Sequence, residues 1–131
     1  MKLKHILGVL LGIALTLTAC NRSQQGPETV AEDFLSAYLA TDYQEAARYC
    51  HSDAASFLLE SVGEFDQLPV EIKEEMRRQA AAITSSILSR EDLSRDSVLI
   101  TYCLRLDSLH HADGQMILTK NEDKQWRIQN W

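Results

Sequence analysis

Ser97-Val98-Leu99-Ile100-Thr101-Tyr102-Cys103-Leu104-Arg105-Leu106 repeats with a period of two. Val98, Ile100, Tyr102, Leu104 and Leu106 alternate with Leu99, Thr101, Cys103 and Arg105. Successive side chains of an extended chain point to opposite faces, so this pattern predicts a half-buried strand. Downstream, Asp113-Gly114 predicts a turn before a strand at Met116 to Lys120, and Asn121-Glu122-Asp123-Lys124 predicts a second turn into Gln125-Trp126-Arg127-Ile128. Upstream, Ile83 to Leu88 could prolong a helix or begin a strand. Its serine and β-branched content favours a strand from about Thr84 to Leu93.

Before these strands the period changes to that of helices. Pro27 suits a first helical position, where its missing N–H would have no partner anyway. Glu28, Glu32 and Asp33 favour the positive end of the dipole. Val30, Phe34, Ala37, Tyr38 and Thr41 form one stripe of a helix to about Ala40, widened by Leu35 and Leu39. Asp42 is placed to cap a second helix, with Glu45 reaching back to it, and Tyr43, Ala46, Ala47 and Cys50 share its inner face. A third helix is expected over Ala54 to Val62, capped by Ser52 or Asp53 and ended by Gly63. Pro69 introduces a fourth, on which Ile72, Met76, Ala80 and Ile83 align. Helices first and an antiparallel meander after them make an α+β domain with N-terminal helices on a sheet of about four strands.

The first 20 residues have another purpose. Lys2 and Lys4 precede an apolar run from Ile6 to Leu15 that contains Gly8 and Gly12. A spanning helix needs about 20 apolar residues, so this shorter run reads as the core of a secretory signal. Leu17-Thr18-Ala19-Cys20 resembles a bacterial lipobox. That resemblance implies a signal peptide over residues 1–19, cleavage before Cys20, and a diacylglycerol thioether on its sulfur. One acyl chain holds a protein marginally and two or more hold it stably. Residues 20–26 are then a lipidated polar tether, and residues 27–131 the single domain. Asn21 in place of Asp, with no acidic cluster over 22–25, resembles an outer-membrane address on the periplasmic side.

Composition narrows the partners. The chain has 131 residues and a net charge of −6, and loss of the leader with Lys2 and Lys4 leaves 11 basic and 19 acidic residues, net −8. The charges are dispersed and no basic stripe forms, which argues against nucleic acid and against anionic lipid heads. The membrane contact expected is the lipid on Cys20.

Pro27-Glu28-Thr29-Val30-Ala31-Glu32-Asp33-Phe34 and Asp42-Tyr43-Gln44-Glu45-Ala46 resemble the opening of small bacterial lipoproteins with a nuclear transport factor 2-like (cystatin-like) domain. Asp96-Ser97-Val98-Leu99-Ile100 and Lys124-Gln125-Trp126-Arg127-Ile128 are similar to that family's strand signatures. The resemblance implies a curved antiparallel sheet wrapped as a cone around the first helix. It implies no particular activity, since this fold hosts isomerases, dehydratases and pure binding modules.

Candidate chemistry is sparse. Phe34, Tyr38, Tyr102, Met116 and Trp126 could line a pocket for a small apolar ligand, and the same residues would serve as core. Cys50 and Cys103 could bridge in an oxidising compartment, although strand parity turns Cys103 away from the core side. Cys50-His51, Cys103, His110, His111 and Asp113 lack tight zinc-type spacing, so no metal and no cofactor are expected. Asp42 and Asp53 read as helix caps, and paired carboxylates, a nucleophile elbow and a phosphate-cradling glycine loop are missing from the sequence. No catalytic residue is therefore named. Trp131, of opposite parity to Trp126 and Ile128, reads as exposed and as a mark of a partner or homodimer surface. The expectation is a non-catalytic domain that binds an envelope protein or small apolar ligand; the alternative is a cone-fold isomerase or dehydratase.

Overall fold

The structure, a computed structural model, describes residues 25–131. The expected signal peptide, the expected lipidation at Cys20 and the expected tether up to residue 24 lie outside the described residues. Four helices come first among these: α1 (Pro27–Leu39), α2 (Tyr43–Ala47), α3 (Ser52–Asp66) and α4 (Val70–Ala81). The strands β1 (Thr84–Ser94), β2 (Ser97–Arg105), β3 (His111–Lys120) and β4 (Trp126–Asn130) follow. They pair in sequence order as an antiparallel meander. Bulges between Ile87 and Ser89 and between Asp92 and Ser94 in β1 break its register and bend it. The curved sheet holds α1, which packs on β1, β2 and β4.

The alternation in β2 is carried into the core. Val98, Ile100 and Tyr102 are buried with Met116, Leu118 and Ile128 of the neighbouring strands, against Val30, Ala31, Phe34 and Leu35 of α1. Ala46, Ala47 and Cys50 close one end as the inner face of α2 requires. The segment after α2 completes the sheet edge: His51 N–H donates to the Ile128 carbonyl at 2.9 Å, and Ile128 N–H donates to the Tyr49 carbonyl at 2.8 Å. That pairing fixes where α3 starts. His51 is its N-cap residue, so neither Ser52 nor Asp53 caps it, and the imidazole instead meets the Thr119 hydroxyl at 2.6 Å.

Several local expectations are corrected. Asp42 does cap α2, accepting from the Glu45 N–H at 3.2 Å. The reciprocal half is missing, because the Asp42 N–H already donates to the Ala37 carbonyl and the Glu45 carboxylate accepts from Tyr49 and Arg48. Gly63 does not end α3, which continues to Asp66. An interior glycine costs a helix about 1 kcal/mol, whereas burying a phenylalanine returns about 1.5–3 kcal/mol. Phe65, buried against the Tyr43 ring with Arg77 above it, therefore carries the helix past Gly63. A Cβ at Gly63 would meet nothing within 4 Å. Gly63→Ala is accordingly expected to stabilise the domain by about 0.5–1 kcal/mol, read as a Tm rise of a few degrees. An unchanged or lower Tm would contradict this.

The stripe on α4 exists but is not covered. No residue of α4 is buried, and Ile72 and Met76 stay 49% and 38% exposed. The concave face of the sheet is already filled by the earlier helices, and α4 touches the body chiefly through α1.

Asp113-Gly114 is not a turn. Both residues lie inside β3, and the chain reverses over residues 106–110 instead. Tyr102 pairs directly with Gly114, and a Cβ there would fall 2.4 Å from the tyrosine ring. This glycine makes room for an aromatic ring.

Candidate functional site

The aromatic residues gather around α1. Phe34 and Tyr38 are one turn apart and stack with centroids 5.8 Å apart. Tyr43 meets Tyr38 edge-on at 5.6 Å, and Phe65 meets Tyr43 at 5.8 Å. Trp131 closes the other side at 5.1 Å from Phe34, 6.2 Å from Tyr38 and 6.1 Å from Phe57. The exposed Trp131 that parity suggested is thus half-buried. A bulge in the pairing of β3 with β4, where Leu118 faces Ile128 but Ile117 faces Asn130, adds one residue and returns Trp131 to the core side.

The five residues expected to line a pocket divide. Phe34 and Met116 are fully buried in the core. Tyr38 joins the aromatic cluster and packs against the core, to which Tyr102, lying over Gly114, belongs. Trp126 sits at the start of β4 with the Lys120 ammonium 5.1 Å from its ring. Sequence periodicity missed Tyr43, Phe57, Phe65 and Trp131 as members of one cluster, because they come from separate elements.

Burial, and secondarily the neighbouring Tyr38 phenol, raises the pKa of both Tyr43 and Tyr102. Both are neutral hydrogen-bonding groups at ordinary pH. Burial also pushes the Cys50 thiol up to about 12, and its S–H reaches the Ala46 carbonyl at 3.5 Å. A thiol so held is a poor nucleophile and a poor redox centre. Cys50 and Cys103 are both free: Cys50 belongs to the core cluster, while Cys103 is buried outside it on the other side of β2. Strand parity keeps the pair apart, so the bridge considered from the sequence is not formed.

No family model and no curated protein matches the chain. Among solved structures, a provisionally named nuclear transport factor 2-like transpeptidase from Campylobacter jejuni superposes with a TM-score of 0.54 at 16% identity, over 82% of this chain and 100% of that one. The domain has the nuclear transport factor 2-like fold. A ketosteroid isomerase-like protein from Erwinia carotovora atroseptica is more distant, with a TM-score of 0.43 at 12% identity, over 78% of this chain and 87% of that one.

In this nuclear transport factor 2-like cone, Phe34, Ile100, Met116, Leu118 and Ile128 fill the space between α1 and the sheet. Among the described residues no polar or charged side chain is buried. Open grooves lie outside the core. One, beside the aromatic cluster, is lined by Asp42, Tyr43, Phe65, Asp66 and Arg77. Another, apolar, runs between Ile83, Leu104, Leu106 and Leu109. On the outer face of the sheet, Cys103, His111 and Asp113 place one ligating atom each within 4.8 Å of the others. His110 does diverge from His111, as adjacent residues should, and bonds the Asp107 carboxylate at 2.9 Å. All three belong to the set that sequence spacing alone gives no reason to join; the register of β2 with β3 brings them together.

Proposed function

We propose that this protein is a lipid-anchored, periplasm-facing envelope lipoprotein whose cone domain binds a partner protein without catalysing a reaction. The observation that carries the non-catalytic half is the interior itself. A proton-transfer enzyme built in a cone needs an acid or base inside it, facing a space for substrate. Here the interior is packed with apolar side chains, and the described residues bury no carboxylate or imidazole. Tyr102 and Tyr38 could polarise an oxygen as the isomerase or dehydratase alternative requires, but Asp42 is exposed at a helix cap and Asp33 is only half-buried.

Support for a binding role comes from the helices. Phe57 is 62% exposed, and Leu59, Val70, Ile72 and Met76 are also large apolar side chains left in solvent. Apolar side chains left uncovered in this number are a feature of interaction surfaces. No helix among the described residues is long and apolar enough to cross a membrane. The anchor proposed is the lipid on Cys20.

Fractionation tests the anchor. Cys20→Ala is expected to move the protein from the membrane pellet to the soluble envelope fraction, and its persistence in the pellet would overturn the lipid attachment. For the partner, cross-linking in cells and capture from detergent-solubilised envelope should recover a specific protein with the wild type. Recovery of nothing above background would count against a protein partner and favour a small apolar ligand.

A further inference from the structure

We propose that Cys103, His111 and Asp113 form a three-ligand site for a zinc-class divalent ion on the outer face of the sheet. Strand pairing builds it. Cys103 of β2 stands directly opposite Asp113 of β3, and Arg105 stands opposite His111, so the imidazole is the diagonal neighbour of the thiol. His111 and Asp113 are two apart on one strand and share a face. The ligating nitrogen, oxygen and sulfur lie within 4.8 Å of one another.

Bond lengths of about 2.0–2.3 Å to a tetrahedral zinc put neighbouring ligand atoms roughly 3.5 Å apart. Closing the remaining gap of about 1 Å needs side-chain rotation, within the reach of exposed His111 and Asp113 without moving the strands. The ligand types choose the ion. Thiolate and imidazole select borderline and soft metals over magnesium or calcium, which prefer all-oxygen cages. Three protein ligands leave a fourth position for water, the arrangement of an open zinc site. On binding, the Cys103 thiol gives its proton to solvent and the sulfur–metal bond replaces it.

The surroundings leave these groups available. His110 is taken up by Asp107, whereas neither His111 nor Asp113 forms an ion pair among the described residues. Cys103 is only 3% exposed, so an ion reaches the sulfur through the mouth formed by His111 and Asp113, both exposed. The thiol lies outside the core cluster, so a metal bound to it would not have to enter the apolar interior.

Cobalt(II) is the probe. Titrated into the full chain in detergent under reducing conditions, it is expected to bind with one equivalent. Near-ultraviolet thiolate-to-cobalt charge transfer and the strong visible bands of tetrahedral geometry should appear, and zinc should erase both. Cys103→Ser and His111→Ala should each abolish the charge-transfer band at stoichiometric cobalt, while Cys50→Ala and Cys20→Ala should retain it. Far-UV circular dichroism checks the fold of each variant. Should the buried Cys103→Ser variant not fold, the exposed His111→Ala change still carries the test. No band in the wild type, a band that survives in His111→Ala, or a band lost in Cys50→Ala would overturn the site.

Discussion

Phe34→Ala is expected to destabilise the domain by about 3–5 kcal/mol, the range for truncating a fully buried aromatic. Native domains are stable by about 5–15 kcal/mol in total, so this one change would bring the protein close to unfolding at growth temperature. Two terms add. The ring's transfer from water is lost, and a cavity opens at the centre of α1, where the sheet cannot collapse without breaking strand pairing. Phe34 also supports the stacked Tyr38 ring and the edge of Trp131. Aromatic pairs contribute about 0.5–1.5 kcal/mol beyond area burial, so their loss places the cost towards the upper end of the range. Urea unfolding followed by tryptophan fluorescence reads both effects at once, since Trp131 should become more solvated even in the folded variant. Phe34→Leu, which keeps most of the volume, should lose clearly less. A loss below about 1.5 kcal/mol for Phe34→Ala would mean that the cone's interior is loosely packed, which would reopen the case for a substrate cavity.

The elements that depend on local periodicity are legible in the amino-acid sequence. α1 begins at Pro27 because the chain needs no N–H there, and its stripe of Val30, Phe34 and Ala37 is the one the core receives. The alternation of β2 survives intact through Tyr102, and the strand placed at Thr84 to Leu93 is β1 within one residue. What failed depended on partners distant in the chain. Gly63 stops a helix on propensity alone, but Phe65 has a ring to reach across α2. Trp131 points outward by counting, but a bulge opposite Ile117 changes the count. The outer-face trio of Cys103, His111 and Asp113 shows the same limit. Ligands on two strands have no fixed sequence spacing, and only the register brings them together. Aromatic clustering is likewise a property of packing, since three helices and the last residue of the chain contribute to it.

Gly114→Ala should destabilise the protein by roughly 1–3 kcal/mol, although in most strands replacing glycine by alanine is neutral or helpful. The added Cβ would stand 2.4 Å from Cζ of Tyr102, 2.5 Å from its hydroxyl oxygen and 2.7 Å from Cε2. Carbon atoms in contact prefer about 3.5–4.0 Å, so the ring must leave its place. It is rigid and 8% exposed, and its removal would expose apolar surface of the core cluster to which it belongs. The sign of the effect is therefore conditional on the ring. In a Tyr102→Val background the clash is gone, and Gly114→Ala should become neutral or stabilising by up to about 0.5–1 kcal/mol, because only the backbone entropy of glycine remains to be removed. A double-mutant cycle by chemical denaturation measures that reversal as a coupling energy between Tyr102 and Gly114. Additive effects would mean that the ring does not lie over the glycine in solution. Asp113 faces away from the ring, opposite Cys103, so a variant that only displaces Tyr102 keeps the pairing on the outer face. Gly114→Ala is thus expected to weaken the fold while leaving the Cys103, His111 and Asp113 cluster assembled, which separates the needs of the core face from those of the outer one.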